Sequence, residues 1–60
     1  MGKKLIKRYV IEYANDCFTL LEKGNRIEDM QQISRIVNLC EYGYISNMEA
    51  IKQITEIVNK

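Results

Sequence analysis

Few side chains in this sequence are equipped for chemistry: two cysteines, Cys17 and Cys40, and two carboxylate pairs, Glu12 with Asp16 and Glu28 with Asp29. Histidine is absent, which removes the commonest general base and triad partner. The cysteines form no Cys-x-x-Cys pair, so neither a zinc spacing nor a dithiol redox spacing exists. Both fall on apolar helical positions, where a free cysteine acts as a small hydrophobe. They are read as reduced core residues, which predicts a reducing, cytoplasmic setting. Glu12 and Asp16 map to the polar side of a helix. Glu28 and Asp29 map to a first helical turn, where acids complement the macrodipole. Gly2, Gly24 and Gly43 are isolated and build no phosphate-cradling loop. The expectation is a non-enzyme with no metal and no cofactor.

Two other residue sets suit recognition. Lys3, Lys4, Lys7 and Arg8 give the first ten residues a charge of +4, while five bases against eight acids leave the other fifty at −3. Cations at a helix start oppose its dipole, so local stability does not account for them. They are candidates for an acidic partner surface or for nucleic-acid phosphates. The second set is aromatic. Tyrosine offers a large contact area with a polar end. Tyr13 falls mid-face and is expected in the core. Tyr9 falls nearer the edge of its helix's apolar arc, and Tyr42 and Tyr44 flank a turn; these three are candidate partner contacts.

These residues must be held by helices. Residues 3 to 23 run without Gly or Pro, and at 100° per residue Lys4, Arg8, Glu12, Asn15, Asp16, Thr19, Glu22 and Lys23 fall into one arc of about 120°. Apolar residues fill nearly all the rest, more than the stripe of roughly 100° that a surface helix shows. Leu5 to Tyr13 is also rich in strand-forming types, but a lone strand would leave its backbone groups unpaired. Within the apolar arc, Ile6, Val10, Tyr13, Cys17 and Leu20 make a seam suited to a neighbouring helix. On its flank, Lys7 falls beside Ile11 and Phe18. A buried unpaired ammonium is costly, so that flank is expected to reach water and to leave Ile11 and Phe18 as an exposed apolar pair at an interface.

Gly24 is expected in the left-handed position that ends the first helix, with Asn25 and Glu28 capping the second. The second helix, about 26–42, turns Met30, Ile33, Ile36, Val37 and Cys40 to one side, and Gly43 ends it. Ser46 and Glu49 form a capping box for a third helix, 47–59, with Ile45 stapled on Ala50 and a buried face of Met48, Ile51, Ile54, Ile57 and Val58. The fold predicted is a single all-α domain, residues 1–60, with a long first helix packed by two shorter ones. No apolar run approaches the roughly 18 residues of a membrane span, and no secretory signal is expected. Met1-Gly2 fails as a myristoylation start because position 6 is Ile.

With no chemistry in view, the expected function is binding another protein, or a second copy, as a small regulator, inhibitor or adaptor. The Ile, Lys and Asn richness suggests the kind of small protein that phages and mobile elements encode. The alternative is a small dimeric nucleic-acid-binding protein that uses the basic end. A helix-turn-helix reader fits poorly, because the third helix carries Glu49 and Glu56 beside Lys52 and Lys60 on its exposed face.

Overall fold

The computed structural model describes the backbone of residues 2–60 and the side chains of residues 8–60. Three helices follow in order: α1, Gly2–Lys23; α2, Ile27–Glu41; and α3, Asn47–Val58. Each packs on both others, and no strand occurs among the described residues. The all-α three-helix architecture is therefore as expected. The links are short, so α2 runs back along α1 and α3 runs back along α2.

The first link differs from expectation by one residue. The left-handed position is Asn25, with φ +56°, and not Gly24. The Asn25 amide bonds the Glu22 carbonyl at 3.1 Å and the Arg26 amide bonds the Leu21 carbonyl at 2.9 Å, the paired bonds of a Schellman motif. Asn tolerates this conformation better than other residues with a side chain, so Gly-Asn can place it on either residue. Asn25 consequently does not cap α2. That position belongs to Arg26, which makes no side-chain capping bond. The second link is as expected. Gly43 has φ +84°, the Gly43 amide bonds Cys40 O at 3.1 Å, and the Tyr44 amide bonds Leu39 O at 2.9 Å.

Ser46 caps α3, its hydroxyl accepting from the Glu49 amide at 3.1 Å. The Glu49 carboxylate, expected to reach back to Ser46, accepts from Gln53 Nε2 at 3.0 Å. Ser46→Ala is expected to cost about 1 kcal/mol, because one α3 amide loses its acceptor. A lowered urea midpoint with an unchanged slope is the expected reading. An unchanged midpoint would mean that the hydroxyl does not hold the start of α3.

The core is built from Val10, Ala14, Cys17 and Leu21 of α1, Ile33, Ile36 and Cys40 of α2, and Ala50, Ile54 and Ile57 of α3. The α2 face is the expected one, with Met30 and Val37 half-buried beside it. Two expectations are corrected. The inward line of α1 ends on Leu21 rather than Leu20, which is exposed. In α3, Ala50 is buried while Met48 points outward. Ala50, Ile54 and Ile57 form the side of α3 that enters the shared core, which leaves Met48 at its outer edge.

Candidate functional site

The carboxylates expected to be structural lie as follows. Glu12 Oε1 accepts from Arg8 Nε at 3.2 Å on the solvent side of α1, and Asp16 is exposed one turn later. Asp29 Oδ2 accepts from Arg26 Nε at 2.7 Å, and Lys60 Nζ lies 3.6 Å from Oδ1. The Arg26 hydrogen bond holds the Asp29 carboxyl below its ordinary pKa; partial burial works against this, and the charges of Arg26 and Lys60 add to it. Arg26 also donates through Nη2 to Ile57 O at 2.7 Å and through Nη1 to Val58 O at 3.2 Å. One guanidinium thus joins the α1–α2 link to the last turn of α3.

Cys17 and Cys40 are both free and buried. Burial pushes the Cys17 thiol above its ordinary pKa; the Tyr13 hydroxyl opposes this and the Asp16 charge adds to it. A protonated, shielded thiol is a poor nucleophile. The Cys40 Sγ donates to Asn47 Oδ1 at 3.0 Å, tying the end of α2 to the start of α3. No group of three His, Cys, Asp or Glu side chains among the described residues is placed to hold a metal ion.

Of the basic set, Arg8 is exposed and paired with Glu12, while the side chains of Lys3, Lys4 and Lys7 lie outside the described residues. Of the tyrosines, Tyr13 is half-buried, and its hydroxyl lies 2.8 Å from Thr55 Oγ1. Thr55 Oγ1 donates its only proton to Ile51 O at 2.7 Å, so Tyr13 is the donor in that pair. Ile11 and Phe18, expected to be exposed, are both half-buried. Ser34, Val37 and Asn38 of α2 share a shallow groove with them, and Phe18 packs against the core. α2 therefore lies along that flank and covers the two side chains in part.

The other three aromatic candidates stay in solvent: Tyr9 is 64% exposed, Tyr42 76% and Tyr44 77%. Tyr42 and Tyr44 meet edge to face, with ring centroids 6.4 Å apart. Met48, 84% exposed, lines an apolar groove with Tyr9, Asn47 and Ile51. Tyr9 and Met48 are therefore neighbours across α1 and α3, while Tyr42 and Tyr44 stand on the turn leading into α3. The structure brings all four to one end of the bundle. Sequence reasoning missed Met48 because its helical position is compatible with a core face. The one available signal was its neighbour Lys52 one turn on, which places that edge of α3 near water.

No helix of the described residues is long and apolar enough to cross a membrane. No family model, curated protein or solved structure matches the chain.

Proposed function

We propose that this is a small non-catalytic protein that acts as a regulator, inhibitor or adaptor by docking on another protein through the end of the bundle that carries the α2–α3 turn. The observation that supports this best is the Tyr42–Tyr44 pair. Both rings are more than three-quarters exposed, yet the backbone beneath them is fixed by the two Schellman bonds and the left-handed Gly43. The Cys40–Asn47 bond holds the far side of the same turn. Rigid, exposed aromatic side chains give contact area at little cost in conformational entropy, which is why such residues anchor interfaces. Tyr9 and Met48 extend the apolar area at the same end.

The test is affinity purification with mass spectrometry, comparing the parent with a Tyr42→Ser, Tyr44→Ser double variant. Exposed side chains contribute little to folding, so the variant should melt within a few degrees of the parent. It should lose the proteins that the parent captures. Capture of the same proteins in the same amounts would defeat the reading. The nucleic-acid alternative has less support, since the guanidinium of Arg8 is engaged by Glu12. Its signature would be duplex binding with a log–log salt slope of about −3.6, the value for four neutralised phosphates.

A further inference from the structure

We draw no further inference here: the strongest candidate, the open groove between α2 and α3 that Arg35, Leu39, Glu56 and Lys60 line, has a floor already closed by buried Ile36 and Ile57, and nothing in the structure shows what covers it.

Discussion

Leu21→Ala is expected to lose half or more of the domain's stability, while Leu20→Ala melts close to the parent. The two leucines are adjacent and chemically identical, but Leu21 is 1% exposed and Leu20 is 59% exposed. Leu21 is among the largest fully buried side chains, together with Val10, Ile33 and Ile54. Truncating a leucine at such a site forfeits its transfer free energy and leaves a cavity, about 2–5 kcal/mol in all. A domain of this length has a total stability of about 3–9 kcal/mol. The loss therefore takes half or more of the margin. Much of the remaining core is small (Ala14, Ala50 and the two cysteines), so few large side chains are available to collapse into the space. For Leu20 the change should fall within about 0.5 kcal/mol, as for other surface positions. Thermal and urea denaturation of the pair decides the matter, and equal destabilisation of both would mean that α1 is rotated from the orientation described.

Arg26→Ala should be the next most damaging substitution, and the least expected from sequence. Its guanidinium donates to Ile57 O and Val58 O, carbonyls of the final turn of α3, where Ile57 O otherwise accepts only long backbone contacts such as the Lys60 amide at 3.4 Å. The positive charge also sits at the negative end of the α3 dipole. Charge-assisted bonds of this kind contribute about 1.5–3 kcal/mol together. Arg26→Lys keeps the charge but loses the planar fork, and should fall between the parent and Arg26→Ala. Acid titration gives a second reading. The Asp29 carboxyl titrates lower in the folded chain than in the unfolded one, mainly through its Arg26 hydrogen bond. Its contribution is thus present above the unfolded value, near pH 3.9, and is lost as pH falls through the lower folded value. The parent should lose stability across that acid window. Arg26→Ala should show a shallower decline there, and an identical acid profile in both proteins would show that the pair does not form in solution.

Most of the local structure was legible because its causes are local. Ser46 at an N-cap and Gly43 at a left-handed turn act on amides and carbonyls within three to five residues. The apolar sides of α2 and the burial of both cysteines follow from a period of 3.6. Tyr42 and Tyr44 could be picked out because they flank a turn. The same logic stopped short at Gly24-Asn25, where two adjacent residues both tolerate the left-handed conformation and only the packed chain selects Asn25. It stopped again at α1, whose apolar arc covers about two-thirds of the wheel. Such an arc states that the helix has neighbours on more than one side, but it does not say which sector meets α2, which meets α3 and which is left over. The answer depends on where the other helices dock. Docking buried Leu21 instead of Leu20, half-covered Ile11 and Phe18 with α2, and turned Met48 out beside Tyr9. Arg26 shows the limit most plainly. Its spacing to Asp29 is local and readable, but its hold on α3 spans more than thirty residues. The sequence by itself determined three helices, their ends and the composition of their sides. Only the tertiary structure decided which apolar residues were left in solvent, because that depends on how rigid helices meet and not on any residue's own preference.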